Sequence, residues 1–207
     1  MIVIILLVSR YPSDRKQKTR ESVLQHAARA LRAHGPDGVS VAAIMKDAGL
    51  THGGFYAHFA SKDAMMVAAI EHMFGNVRDR WAHETLDRDP ATGLSHYVDW
   101  YLSTAHRDAP AVGCPVAALA ADLPRMSARC RAAFGVGARN MTAMFEQALQ
   151  RLGHSEPAAA AASLAAELVG AISLARLATD ARRSNAILAA SRASIKQRLH
   201  LGAKGAS

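Results

Sequence analysis

Between Thr19 and Leu31 the apolar residues Val23, Leu24, Ala27, Ala28 and Leu31 recur at helical steps, which places them on one face of a helix. Thr19 is read as its N-cap, and the turn cluster Gly35-Pro36-Asp37-Gly38 ends it. Ser40 then caps a short helix from Val41 to Ala48, in which Val41, Ile44 and Ala48 keep the period and Gly49 closes the element. Thr51 is placed to cap another short helix through about Phe59, and Ser61 a long one from Lys62 towards Leu86. Downstream, helices are predicted near 91–107, 115–123, 127–152, 156–179 and 183–201. Asp89-Pro90, Pro110, Pro124, the stretch from Gly153 to Pro157 and the polar residues 180–183 separate them. The pattern predicts an all-α protein of about nine helices with no strand.

Composition agrees with that reading. Half of the 207 residues are hydrophobic, enough for a core, while aromatics are 5% and Ala, Leu and Arg abound. Charge adds a direction. The net +8 is concentrated early: from Arg10 to Lys62 nine Lys or Arg face four acids, a net +5. A basic end of this kind suits a polyanion. Two cysteines make no disulfide framework. The opening "MIVIILLV" is too short to span a bilayer and lacks a basic n-region, so it is read as a tail and the protein as cytoplasmic. The apolar stretch 164–178 is interrupted by Glu167 and Arg176, which marks a core or interface helix and no membrane partner. The expected division is a tail over 1–14, a DNA-binding domain over 15–62 and a helical domain over 63–207.

Three short helices at the basic end, with a tight turn at Gly49 between the second and third, form a helix-turn-helix pattern. Ala48 and Gly49 let two helices cross closely, and Ile44 and Phe55 supply the core between them. The third helix then offers Thr51, His52, Gly53, Gly54, Tyr56 and His58 outward, with N-terminal N–H groups that suit phosphates. Ser40, Ser61 and Lys62 stand at two further helix starts. Competing chemistries fit less well. The pair Gly53-Gly54 lacks the spacing of a phosphate loop, and His52 and His58, six apart, lie on different helix faces. No metal or cofactor is expected.

The run "VSVAAIMKDAGLTHGGFYAHFASKDAMM" resembles the DNA-binding segment of TetR/AcrR-type transcriptional regulators. Its Ala-Gly turn, aromatic-Tyr-x-His-Phe run and following Ser-Lys-Asp carry the likeness over about thirty residues, and the helix count extends it to the whole chain. By that resemblance Thr51, His52, Gly53 and Gly54 lie in or beside the major groove. Tyr56, His58 and Lys62 contact phosphates, and Ser40 does so from the start of the preceding helix. Where many such regulators have Lys and Thr, this chain has His52 and Gly54, which leaves fewer side chains to read base edges. The resemblance implies a homodimeric, ligand-responsive repressor of a palindromic DNA operator, with a C-terminal ligand and dimerisation domain, and not an enzyme.

The C-terminal part supports less detail. His96, Trp100, Tyr101, Cys114, Asn140 and Met144 are candidates for an effector pocket, apolar residues with a few polar groups, and His106 is a further polar candidate. Cys114, beside Pro115 at a helix start, is either a small buried residue or a redox or electrophile sensor. A Cys-dependent enzyme with His96 or His106 as base is the remaining alternative, although no nucleophile motif accompanies it. Ala161, Ala165, Leu168, Ile172 and Ala175, with Ile187, Leu188, Ile195 and Leu199 of the last helix, suit either a four-helix dimer interface or packing within the chain.

Overall fold

The computed structural model describes residues 12–201, and among these every regular element is helical. The apolar opening of the chain lies outside the described residues. The elements are α1 (Pro12–His34), α2 (Val41–Asp47), a 3-10 turn (His52–Ala57), α3 (Lys62–Thr85) and α4 (Pro90–Tyr101). There follow α5 (Thr104–Asp108), a 3-10 turn (Pro110–Val112), α6 (Pro115–Leu119) and a 3-10 segment (Ala120–Arg125). Three long helices, α7 (Ala128–Arg151), α8 (Pro157–Leu177) and α9 (Ala181–Arg198), complete the bundle.

Helix starts follow local chemistry. Ser61, Asp89, Ser103, Ser127 and Asp180 each accept a hydrogen bond from a backbone N–H of the first turn they precede, satisfying donors that the helix itself leaves unpaired. Two expectations need correction. Thr19 is not a cap, because α1 already begins at Pro12; the added turns are polar and offered no apolar period to detect. The helix expected over 91–107 is two, because α4 ends at Leu102 and Ser103 caps α5 through the N–H of His106 at 3.1 Å.

Two apolar cores lie along α3. The first gathers Val23, Leu24, Ala27, Ala28 and Leu31 of α1 with Ile44, Phe55, Phe59 and the α3 residues Met65–Phe74. It is closed by Leu119, Met126, Cys130 and Phe134, which come from the far half of the sequence. The second gathers Val77 of α3, Tyr97 and Tyr101 of α4, Phe145 of α7 and the inner faces of α8 and α9. A division at residue 62 therefore follows a helix start and not a gap in packing. The inner faces of α8 and α9 hold most of the residues named above for a dimer contact, while Ala165 and Ile187 are half-buried. Ala161, Leu168, Ile172, Ala175, Leu188, Ile195 and Leu199 are buried within the chain, so they are core and not interface.

At the crossing of α3 and α7 the ring of Phe74 fills the space over Gly137, where an added Cβ would lie 2.1 Å from the ring carbon Cδ2. Phe134 meets the same ring edge-on at 5.2 Å. Glycine at 137 is thus required by close approach.

A second fixed point is His106. The only role open to the carbonyl of Tyr101 is acceptor and to the N–H of Cys114 is donor, so Nδ1–H donates to the former (2.7 Å) and Nε2 accepts from the latter (3.0 Å). Trp100 stacks on the imidazole at 4.8 Å, and Arg176 of α8 donates to the carbonyls of His106 and Arg107. Burial pulls the His106 pKa down from 6.5 to about 4, and nearby arginines add to the effect against the Tyr101 hydrogen bond. The neutral ring ties the 109–114 loop to α4 and α5.

Two predictions follow from these contacts. Gly137→Ala loses about 1–3 kcal/mol of unfolding free energy by overpacking. Gly135→Ala, whose Cβ meets only the end of the Arg139 side chain at 3.4 Å, gains roughly 0.5–1 kcal/mol; urea unfolding of both variants reads the opposite signs. For His106, the unfolded chain takes up a proton below about pH 6.5 while the folded chain resists it until about pH 4. Stability from this group is complete above that window and falls as pH drops through it, by about 3 kcal/mol. Urea titrations from pH 7.5 to 4 should show the slope, and His106→Gln should flatten it.

Candidate nucleic-acid interface

The 3-10 turn His52–Ala57 is held from behind and left free in front. Ser40 starts α2 by accepting from the N–H of Ala43 at 3.4 Å. Gly49, at φ +72°, ends it: its N–H reaches the Lys46 carbonyl at 2.9 Å and the N–H of Leu50 reaches the Met45 carbonyl at 2.8 Å. This paired closure needs the left-handed conformation that glycine adopts without steric cost. The chain then leaves at a sharp angle into His52–Ala57. Phe55 and Phe59 stack at 5.7 Å inside the first core, and the guanidinium of Arg20 on α1 covers Phe59 at 5.0 Å. These contacts fix the turn while its other face stays open.

On that open face the structure brings together most of the residues singled out in the sequence. Thr51, His52 and Gly53 are exposed, Gly54 is partly so, and Tyr56 is 70% exposed, with its ring and hydroxyl accessible from outside. Ser40 and Lys62 are exposed at the starts of α2 and α3. His58 differs: it is half-buried and its Nδ1 is enclosed without a partner. Two further details depart from expectation. The recognition element is a 3-10 turn, and Thr51 precedes it without a side-chain cap. The N–H of Gly54 is taken by the Thr51 carbonyl at 3.1 Å, so one of the backbone donors expected for phosphates is already used.

The double glycine has no structural reason in the free chain. Neither residue has a left-handed φ, an added Cβ at Gly53 meets nothing within 4 Å, and one at Gly54 makes ordinary contact with Met45 and Thr51 at 3.7 Å. Two glycines here only weaken the helix, by about 1 kcal/mol each relative to alanine. Exposed cations not singled out individually flank the same end of the molecule: Arg15, Lys16 and Lys18 on α1 and Lys46 on α2. Their signal in the sequence was the local charge, which carries no position.

The effector candidates separate. Trp100, Tyr101 and Cys114 line one recess of about 130 Å³, joined by Arg32, Asn76 and Arg80, which sequence reasoning missed. Met144 lines a different recess, with Trp81, Thr85 and Arg88. His96 and Asn140 are exposed on α4 and α7 and line neither. His106 is buried and spent on backbone groups, so it offers nothing to a ligand. The same geometry opposes the Cys-dependent enzyme: Nε2 of His106 takes the backbone N–H of Cys114, leaving no lone pair to deprotonate its thiol.

Known proteins share this arrangement. The sequence model of a family described as bacterial regulatory proteins, tetR family, matches residues 23–69, from the middle of α1 through the recognition turn into α3. The chain is 28% identical over 135 residues to the HTH-type transcriptional repressor NemR of Escherichia coli strain K12, covering 64% of this chain and 67% of that protein. It is 27% identical over 148 residues to the HTH-type transcriptional regulator LmrA of Bacillus subtilis strain 168, covering 70% and 78%. Its backbone matches the crystal structure of the reduced form of E. coli NemR with a TM-score of 0.75 at 27% identity, over 87% of this chain and 96% of that one. A TetR transcriptional regulator from Chloroflexus aurantiacus shares the fold at 20% identity, with a TM-score of 0.71 over 90% and 96%. These relatives are transcriptional regulators and not enzymes. From the middle of α1 into α3 the chain carries the helix-turn-helix of the tetR family of bacterial regulatory proteins, and along its length it shares the fold of TetR-type transcriptional regulators.

Proposed function

We propose that this regulator is a cytoplasmic homodimeric repressor that leaves a palindromic operator when a small molecule binds its helical domain. The observation that carries DNA reading by the 51–62 region is the exposed Tyr56 and the sterically unneeded Gly53-Gly54 pair on a turn clamped by Phe55 and Phe59. Glycines there let the backbone approach a duplex closely. Thr51 and His52 are then the side chains available for base edges, Tyr56, His58 through its Nε2, and Lys62 serve phosphates, and Ser40 does so from the start of α2.

The dimer rests on a different observation. The 18-residue apolar window of α8 has a mean hydropathy of 1.7, yet only 39% of it is buried within the chain. Its outer side carries exposed Ala162, Ala166, Leu174 and Leu177, beside exposed Ala186 and Ala193 of α9. Small residues on two neighbouring helices suit a four-helix contact with a second copy. Glu167 pairs with Arg198 at 2.5 Å and Arg176 is held by loop carbonyls, which integrates α8 into the helical domain. Two recognition turns about 34–36 Å apart would meet successive major grooves, and a ligand that prefers another spacing releases the DNA.

A thiol trigger at Cys114 is the second reading. It is favoured by the likeness to a repressor crystallised in a reduced form and by the place of Cys114 in the wall of the Trp100 recess. Peroxide that releases operator from the unaltered protein but not from Cys114→Ser supports it; release unchanged in the variant removes it.

The main reading is tested by selecting bound sequences from a random duplex pool. A near-palindrome with half-sites one helical turn apart is expected, and no enrichment over random sequence would overturn it. On the selected operator, Tyr56→Ala should weaken binding about tenfold or more with circular dichroism unchanged. His52→Ala should shift base preference, whereas Lys62→Ala should lower affinity for all duplexes and reduce the salt slope by about one. Gly53→Val should leave the fold intact and still weaken binding; gel-shift titrations at fixed salt read all four.

A further inference from the structure

The recess behind the 110–114 loop holds two buried polar groups that lack partners. Arg32, in the last turn of α1, is only 7% exposed, and among the described residues no carboxylate pairs with it and nothing accepts from its enclosed Nε. Tyr101, from α4, is 1% exposed and its hydroxyl meets no partner at full hydrogen-bond distance and angle; burial pushes its pKa up, and the neighbouring Cys114 thiol adds to that. Both residues line the same recess of about 130 Å³. Arg80 of α3 stands at its edge, 4.8 Å from the Trp100 ring centroid and with Nη1 on Glu84 at 3.1 Å.

A buried cation without a counter-charge is costly, and proteins rarely keep one without a purpose. Burial draws the Arg32 pKa down to about 10, the mark of a guanidinium that no carboxylate supports. Water can accept from a phenol and from a guanidinium, but it brings no charge. A carboxylate does both: one oxygen accepts from Arg32 with charge assistance and the other accepts from the Tyr101 hydroxyl. Met73, Val77 and Trp100 give the rest of the wall an apolar stretch, beside the polar Asn76 and the charged Arg80. The volume matches about four waters and lies below the range of drug-sized pockets, so the body of the ligand is a single ring or a short chain.

We propose that the effector of this regulator is a small organic carboxylate, held by Arg32 and the Tyr101 hydroxyl with its apolar body against Met73, Val77 and Trp100. The site itself rests on these unpartnered groups; only the word effector rests on the repressor reading above. Arg32 also gives the site a route to the DNA. It sits where α1 turns into α2, so a carboxylate that binds it from α4 links the ligand domain to the entrance of the helix-turn-helix.

The test is calorimetric titration of the full-length protein with benzoate and hexanoate against benzamide and hexanamide, at constant chloride. At least one acid should bind more than tenfold tighter than its amide, at one site per chain. Arg32→Met should weaken that acid at least tenfold while melting no lower than the unaltered protein, because it removes an unpaired buried charge. Tyr101→Phe, which deletes one oxygen and keeps the packing, should weaken it several-fold. Acids that bind no tighter than their amides overturn the proposal, as does unchanged affinity in either folded variant. Gel shifts separate the two readings. Operator binding without any preference for acids sinks the anion site alone, whereas acid binding by a protein that selects no operator leaves the site and sinks the repressor.

Discussion

The packing of α3 governs the rest of the molecule. This one helix of 24 residues buries Met65, Ala69, Ile70, Met73 and Phe74 in the first core and Val77 in the second. Its N-terminal turn follows the His52–Ala57 element closely, so one helix joins the helix-turn-helix to the second core. Gly137 of α7 lets the ring of Phe74 approach so closely that no Cβ fits between the two helices at their crossing. A rigid lever of this kind is what a regulator needs if events in the helical domain are to alter the spacing of two DNA-reading turns.

In the helix-turn-helix the residues that serve stability are separate from those that stand free of the core. Phe55, Phe59, Ile44 and the Gly49 closure hold the turn in place; Thr51, His52, Gly53 and Tyr56 contribute almost nothing to the core. No contact among the described residues requires the two glycines of this short element, which is a 3-10 helix. Local rules fail here with no compensating contact among the described residues.

The helical domain places its polar groups with equal economy but different purpose. His106 is neutral, fully paired and structural, a clasp between α4, α5 and the 109–114 loop. Arg32 at Nε and the Tyr101 hydroxyl, which line the neighbouring recess, have no hydrogen-bond partner. Burial alone does not distinguish these two cases; the presence or absence of partners does.

The sequence by itself determined the helical class, most of the helix starts and the DNA-binding end. Caps such as Ser40, Ser61 and Ser127, the Gly49 turn and the period of Val23 to Leu31 are local, and each acts within a few residues of its own position. It missed the first turns of α1 because polar turns carry no apolar period, and the break at Leu102 because a single Ser103 cap is a weak signal in a continuous apolar pattern. Only the tertiary structure decided which face of α8 is core: periodicity shows that Ala161, Leu168 and Ile172 share a side, but not what that side meets. Only the tertiary structure could also bring Arg32 beside Tyr101 and Cys114, or keep His96 and Asn140 away from them. Those meetings depend on how long helices cross, and a crossing is set by side chains far apart in the chain.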